Sequence, residues 1–285
     1  MKIIDGKLLA EELNKDLARK NLLFKQKFHK KPYLAVVLVG DNAASSIYVK
    51  NKEKQANIVG IESEVINLNK NVSEKELLDV IESLNKNNKV DGILVQLPLP
   101  NHIDSKNVID NINPDKDVDG FNARNVGLLA MGIPKVIPCT PLGCYKMLEN
   151  ITNLEGKKIA VLGRSNIVGK PLAYLLTNKN ATVTLIHSKS KGIKEICMNS
   201  DIIVAAIGKP KFVKHTWVHK KSIVIDVGIN VISERGRRKI VGDVDFEKTF
   251  SKVRAISPVP GGVGPMTIHC LLLNTYNLAY LKVNL

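Results

Sequence analysis

The sequence lacks most features that would remove it from the ordinary globular class. It contains no run of roughly 18 apolar residues, the length a membrane-crossing helix needs, so no membrane partner is expected. Its N-terminus, Met1-Lys2-Ile3-Ile4-Asp5-Gly6, passes straight into a charged helical pattern, and without an apolar stretch it does not read as a secretory leader. The four cysteines (Cys139, Cys144, Cys197 and Cys270) form no CxxC pair. That pattern suits reduced thiols in a cytoplasmic protein better than a disulfide or zinc framework. No short-period repeat and no low-complexity segment interrupts the chain. His215 and His219 are spaced to share a helical face, but no third ligand lies near them in sequence, so no metal is expected.

What is abundant is positive charge: 42 Lys and Arg against 27 Asp and Glu, a net +15. Such an excess keeps open a basic nucleic-acid-binding protein. The basic residues are spread along the whole chain, however, with no RNA-binding motif and no basic stripe interleaved with aromatics. The expected partner is therefore a small molecule and not a nucleic acid, and a positive field also attracts anionic substrates.

The hydrophobic pattern alternates between strand and helix periods, which predicts parallel sheets with helices on their faces. Residues 7–28 carry an apolar stripe from Leu8, Leu9, Leu13, Leu17 and Leu23. Residues 33–39 are a continuous apolar run, the mark of a strand buried on both faces. A helix over 44–59 closes on Gly60, and a strand over 61–68 follows. Ser73 with Glu76 reads as a capping box, and a strand over 92–97 is stopped by Pro98 and Pro100. Residues 111–122 form an acidic loop. At Pro138-Cys139-Thr140-Pro141 the character changes, with Thr140 placed to cap a helix. A second series follows: strands over 158–162, 181–186, 201–206 and 222–227, helices over 168–177 and 192–199, and a last helix over 266–281.

The fold class predicted is α/β, with two three-layer α/β/α domains and an active-site cleft between them. The first domain is expected to take residues 1–140 plus 266–285. The second, residues 141–265, is expected to be a Rossmann-type parallel sheet.

The strand at 158–162 runs into Gly163-Arg164-Ser165-Asn166-Ile167-Val168-Gly169 and then a helix, the setting in which a turn can hold a dinucleotide pyrophosphate. By spacing alone Gly163 and Gly169 are a weak fingerprint. The next strand ends in His187-Ser188-Lys189-Ser190-Lys191, where an NAD site would place a carboxylate for the ribose 2′-hydroxyl. Hydroxyls and cations stand there instead, with Arg164 in the first loop. That chemistry suits the 2′-phosphate of NADP over NAD. Gly208-Lys209-Pro210 and Asp226-Val227-Gly228-Ile229-Asn230 also lie at strand ends where ligands bind.

In the first half Tyr48 and Lys52 share a helix face, Gln96 closes a buried strand and Asp119 precedes Gly120 in the acidic loop. Each has an ordinary structural explanation when taken singly. Together they sit among motifs that resemble the bifunctional methylenetetrahydrofolate dehydrogenase/cyclohydrolase family. The motifs are Gly40-Asp41-Asn42 with residues 45–52, residues 91–100, Lys116-Asp117-Val118-Asp119-Gly120-Phe121-Asn122 and Pro138-Cys139-Thr140-Pro141. Further along are residues 163–171, residues 226–230, Gly242-Asp243-Val244 and residues 258–267.

The resemblance implies NADP-linked oxidation of 5,10-methylenetetrahydrofolate to the methenyl form, then hydrolysis to 10-formyltetrahydrofolate. It implies Lys52 as general acid/base, Gln96 orienting its amine, Tyr48 positioning the folate and Asp119 holding the pterin. It also implies close backbone approach at Gly261 and Gly262. NADP contacts fall on Gly163, Arg164, Ser165, Gly169 and Ser188, with Ile229 on the nicotinamide side, and the assembly implied is a homodimer. His269 and Cys270 depart from the small or apolar residues usual in that final helix. Another two-domain NADP-linked dehydrogenase, of shikimate or amino-acid type, would share the architecture but not need the Tyr48, Lys52, Gln96 and Asp119 set.

Overall fold

The computed structural model describes every residue except Met1, Arg235 and Leu285, and leaves the side chains of Ala43, Ala44 and Arg237 undescribed. Two compact units emerge. The first takes the chain up to Glu11, then Leu129–Ile133 and Thr140–Thr267. The second takes Glu12–Leu128, Pro134–Cys139 and the chain from Ile268 on.

In chain order the elements begin with β1 (Lys2–Ile3), α1 (Gly6–Phe28), β2 (Tyr33–Val39), α2 (Ala43–Val59), β3 (Glu62–Leu68), α3 (Glu74–Lys86) and β4 (Gly92–Val95). Then come α4 (Ser105–Asn111), α5 (Ala123–Ala130), α6 (Cys139–Glu149), β5 (Lys158–Leu162), α7 (Gly169–Thr177), β6 (Thr182–Ile186), α8 (Ile193–Met198) and β7 (Ile202–Ala205). The series ends with β8 (Ile223–Asp226), β9 (Asn230–Glu234), β10 (Arg237–Val241), α9 (Phe246–Thr249), β11 (Ala255–Ile256) and α10 (Val263–Val283). Among the described residues no helix is long and apolar enough to cross a membrane.

The second unit is built on a parallel three-stranded sheet in the order β3-β2-β4. The central strand β2 is buried over all but its first residue, which explains its unbroken apolar run. α3 starts as its sequence predicts: the Ser73 side chain accepts from Glu76 N while the Glu76 carboxylate accepts from Ser73 N. Leu77, Ile81 and Leu84, spaced by four and three residues, form its buried stripe and pack with Val37, Ile93 and Val108 in one core. The other end of α3 is closed by a cation. Buried Lys116 donates to the carbonyls of Leu84, Asn85 and Asn87 at 3.0, 2.7 and 2.8 Å, satisfying acceptors that the helix end leaves free.

The first unit holds a six-stranded, all-parallel sheet in the order β1-β11-β8-β7-β5-β6. β5 pairs with β6 on one side and β7 on the other, so the order reverses at β5. Its carboxyl end is the switch point at which such sheets bind ligands. β9 and β10 form a separate antiparallel hairpin; the basic segment 235–239 joins and begins β10, with Arg235 outside the described residues.

Four points of local structure differ from the sequence reading or add to it. An N-terminal strand that the sequence reading did not include pairs with β11 in the six-stranded sheet, where Lys2 N and Ile4 N bond the carbonyls of Arg254 and Ile256. Two residues are too few to carry a period, and only the partner strand reveals them. Thr140 lies within α6 and not before it, with its Oγ1 3.1 Å from Thr267 Oγ1. β4 ends at Val95, two residues early, and the Leu97–Pro98 peptide is cis. The acidic loop, read from sequence only as a loop, is buried at Lys116, Asp117 and Val118.

Candidate active site

The second unit brings the four first-half candidates together. The Lys52 side chain rises from α2 into a buried position, 5% exposed. Its Nζ donates to Gln96 Oε1 at 2.9 Å and lies 4.9 Å from the centre of the Tyr48 ring. Gln96 follows β4. Its own backbone N bonds Val37 O, and its Nε2 donates to Leu97 O at 2.6 Å, so the amide is held at both ends with its oxygen toward Lys52.

Asp119 is delivered by the loop that runs along β4. Ile93 N bonds Lys116 O at 2.7 Å, and Ile93 and Asp117 form a parallel bridge. Buried Asp117 then folds the loop end, accepting from Gly120 N, Asn122 N and Asn125 Nδ2 at 3.0, 2.8 and 3.0 Å. Gly120 has φ +69°, and a Cβ there would sit 2.9 Å from Pro138 N, so only glycine makes this bend. Asn274 of α10 pins the loop by donating to the carbonyls of Val118 and Ile137, both at 2.9 Å.

Burial decides the charge states. It lowers the Lys52 pKa, against the opposing pull of Asp119. It also raises Asp119 to about 6, with Lys52 pulling the other way and Asp117 adding to the rise. Each group is moved toward its neutral form, so desolvation outweighs the attraction between them. The lowered pKa makes this amine a readier proton acceptor than an exposed lysine. Cys139 stands beside this cluster and donates to Val118 O at 3.2 Å. Burial pushes its thiol well above the ordinary range, which argues against a nucleophilic thiolate. His269 and Cys270, the two departures in the last helix, are both buried; His269 Nδ1 pairs with Asn14 Oδ1 at 2.8 Å.

In the first unit the dinucleotide candidates gather at the carboxyl edge of the six-stranded sheet. Gly163 follows β5 with φ +115°, and a Cβ there would lie 2.1 Å from Ala206 O at the end of β7. A Cβ on Gly169 would lie 1.9 Å from Gly163 O. Both glycines are therefore demanded by the closeness of strand, turn and helix. Ser165 Oγ accepts from Val168 N and Gly169 N at 3.2 and 3.3 Å, folding the turn onto the positive end of α7. Arg164 and Ser188 are exposed at the ends of neighbouring strands β5 and β6. Ile229 is 63% exposed after β8, an apolar side chain left mostly uncovered. Gly261 has φ +100°, and a Cβ on Gly262 would sit 2.4 Å from Pro258 O. A cradle of glycines, a helix N-terminus, and cations with hydroxyls but no carboxylate over residues 187–191 fit a phosphorylated dinucleotide.

Sequence reasoning assigned no work to Asp226 or Asp243, which the structure buries behind this edge. The dipeptides Val227-Gly228 and Gly242-Asp243 directly after strands were the available signal. Among the described residues no three His, Cys, Asp or Glu side chains gather as they would around a metal ion.

Residues 4–119 match the family described as tetrahydrofolate dehydrogenase/cyclohydrolase, catalytic domain, and residues 138–283 match its NAD(P)-binding domain. The chain is 55% identical over 276 residues to the bifunctional protein FolD of Pelagibacter ubique, covering 96% of this chain and 97% of that one. The crystal structure of the bifunctional enzyme FolD, methylenetetrahydrofolate dehydrogenase/cyclohydrolase, from Campylobacter jejuni superposes with a TM-score of 0.95 at 46% identity, covering 99% of both chains. The Trypanosoma brucei enzyme, solved with NADP cofactor and an inhibitor, gives 0.95 at 35% identity over 99% of this chain and 98% of that one.

Proposed function

This chain belongs to the tetrahydrofolate dehydrogenase/cyclohydrolase family, and on that premise we propose how its residues divide the work. It oxidises 5,10-methylenetetrahydrofolate with NADP and hydrolyses the resulting methenyl compound to 10-formyltetrahydrofolate. The shikimate-type and nucleic-acid-binding alternatives fall away with the family match over nearly the whole chain.

The observation that carries the residue-level reading is the buried Lys52 amine held 2.9 Å from Gln96 Oε1 and facing the Tyr48 ring. Hydrolysis begins when water adds to the methenyl carbon, and Lys52, pushed toward its neutral form by burial, takes a proton from it. The protonated amine then returns that proton to the folate nitrogen that leaves as the ring opens, while the added hydroxyl releases its proton to solvent as the formyl C=O forms. Gln96 fixes the amine by accepting one of its N–H bonds, leaving its lone pair to be aimed at the water. Tyr48 offers its ring to the folate, and ionised Asp119 accepts from the pterin's amino edge.

The dehydrogenase half needs position more than acid or base, because the methylene carbon already carries two electron-donating nitrogens. Bound at the Gly163–Gly169 turn, NADP supplies the hydride acceptor. Gly163 and Gly169 allow the backbone to approach the pyrophosphate; Arg164, Ser165 and Ser188 take the 2′-phosphate; Ile229 supports the nicotinamide. Gly261 and Gly262 let the backbone approach the substrate. In this reading residues 1–140 with 266–285 form the folate-binding, catalytic domain, and residues 141–265 the NADP-binding domain. The protein works in the cytoplasm as a homodimer, and sedimentation of the purified protein tests the dimer.

Purified protein supplied with 5,10-methylenetetrahydrofolate and NADP should form NADPH, and supplied with the methenyl compound alone should hydrolyse it faster than buffer does. Absence of both reactions would sink the reading.

A further inference from the structure

Two buried carboxylates stand behind the dinucleotide edge of the six-stranded sheet. Asp226, the last residue of β8, is 3% exposed, and Asp243, just after β10, is fully buried. Burying carboxylates costs free energy unless each oxygen is bonded. Here the bonds come from backbone N–H groups that follow β7, β8 and β10, and from the Asn230 side-chain amide.

Asp243 Oδ2 accepts from Ile207 N at 2.6 Å and Gly208 N at 2.9 Å. Its Oδ1 accepts from Lys209 N at 3.0 Å and Asn230 Nδ2 at 2.8 Å. One side chain thus ties the loop after β7 to the residue that follows Ile229. Asp226 braces this tie: it accepts from Gly228 N at 3.0 Å, from Asp243's own N at 2.9 Å and from Val244 N at 2.8 Å. The chain leaves room for both carboxylates and for nothing else. A Cβ on Gly228 would lie 2.2 Å from Asp243 Oδ1, and one on Gly242 would lie 1.9 Å from Asp226 Oδ2.

The tie has a directional consequence. A trans peptide points its C=O opposite its N–H. With the N–H groups of residues 207–209 drawn inward to Asp243, the carbonyls of Ala206, Ile207 and Gly208 are turned the other way. Ala206 O is indeed the atom a Gly163 Cβ would meet, at 2.1 Å, so that carbonyl faces the dinucleotide turn. The loop after β7 therefore presents acceptors, which suit an amide donor and leave the phosphates to the Gly163–Gly169 turn.

We propose that Asp243, braced by Asp226, is a positioning residue for the dehydrogenase half: it turns the carbonyls after β7 toward the nicotinamide, where they accept from its carboxamide N–H. The proposal rests on the reading that NADP binds at this edge. It predicts discrimination against a dinucleotide whose carboxamide is replaced by an acetyl group, which has no N–H to give.

The test compares the wild type with Asp243→Asn and Asn230→Ala, the latter removing one of the four bonds to Asp243. Dissociation constants for NADP and for its 3-acetylpyridine analogue are measured, together with both rates. Asp243→Asn should lower dehydrogenase kcat/KM for NADP by about tenfold to a hundredfold, the size expected when a cofactor is slightly misplaced. The wild type's preference for NADP over the analogue should shrink toward unity. Asn230→Ala should move the same ratio in the same direction by less, which keeps the test available if Asp243→Asn does not fold. Hydrolysis of the methenyl compound without NADP should stay at the wild-type rate, since Lys52 lies in the other compact unit. A preference ratio unchanged in Asn230→Ala and in any folded Asp243→Asn would overturn the proposal, and so would hydrolysis falling in step with dehydrogenation. A wild type that forms no NADPH would refute the functional reading instead.

Discussion

The Lys52 amine and the Gln96 side-chain oxygen, 44 residues apart in sequence, meet at 2.9 Å inside the second unit. The contact joins a helix to the end of the neighbouring strand, and it leaves a buried lysine with a neutral hydrogen-bond partner. Its energetic sense is clear: a neutral acceptor does not stabilise the ammonium form as a carboxylate would, so burial keeps the lysine pKa low.

Lys52→Met removes the proton carrier while keeping most of the side chain's volume. Methenyl hydrolysis should fall by about 10²–10⁴-fold, the range general acid–base catalysis supplies, while NADPH formation stays measurable. Hydrolysis at the wild-type rate would remove Lys52 from its role.

Gln96→Glu places a carboxylate beside the amine and should raise the Lys52 pKa. The neutral fraction then drops at a given pH, by about tenfold for each pH unit the titration moves. Hydrolysis at neutral pH should fall and recover as pH is raised. A hydrolysis profile superimposable on that of the wild type would contradict the partnership.

Asp119 titrates at about 6 in the free protein, raised from 3.8 chiefly by burial. The acceptor form needed by the pterin exists only above that value, so kcat/KM for the folate should decline as pH falls through about 6. Asp119→Asn should bind folate weakly and show no such decline. The stability sign follows from the same shift. A raised carboxyl pKa penalises the folded state once the group must ionise, so the penalty grows between about pH 4 and 6 and persists above. Asp119→Asn should therefore gain melting temperature relative to wild type at pH 8 and not at pH 4, as calorimetry at the two pH values would show.

Arg164→Ala should raise KM for NADP by about ten- to a hundredfold, the worth of a charge-assisted bond to phosphate, and leave KM for NAD unchanged. An unaltered NADP-to-NAD preference would take Arg164 out of the 2′-phosphate site.

Gly163→Ala forces a side chain onto a residue with φ +115° and into Ala206 O at 2.1 Å. Backbone strain of this kind costs about 1–3 kcal/mol before the clash is counted. The variant should melt at lower temperature and lose NADP binding, with both read by thermal shift with and without NADP. Wild-type melting and affinity would show that the turn tolerates a Cβ.

Local periods and caps were legible without coordinates. The buried run of β2, the Ser73 and Glu76 box and the strand–turn–helix at Gly163 each rest on neighbours within a few residues, so sequence alone determined them. The chemistry of the cofactor was legible too, because a missing carboxylate after β6 is a fact of composition. What the sequence could not give were contacts made at long range. β1 is two residues with no period of its own and exists only through β11. Lys116 looks like a surface charge until three carbonyls of α3 converge on it. Asp117 and Asp119 are alike in sequence, and only the loop's course along β4 turns one into a backbone clasp and leaves the other beside Lys52. Residue types and their local order thus determined the elements and the candidate chemistry, since those follow from backbone preference and short-range bonding. Which amine has its pKa lowered, which carboxylate is raised and which loop is clasped were decided by the tertiary structure, because burial and the meeting of distant segments set them.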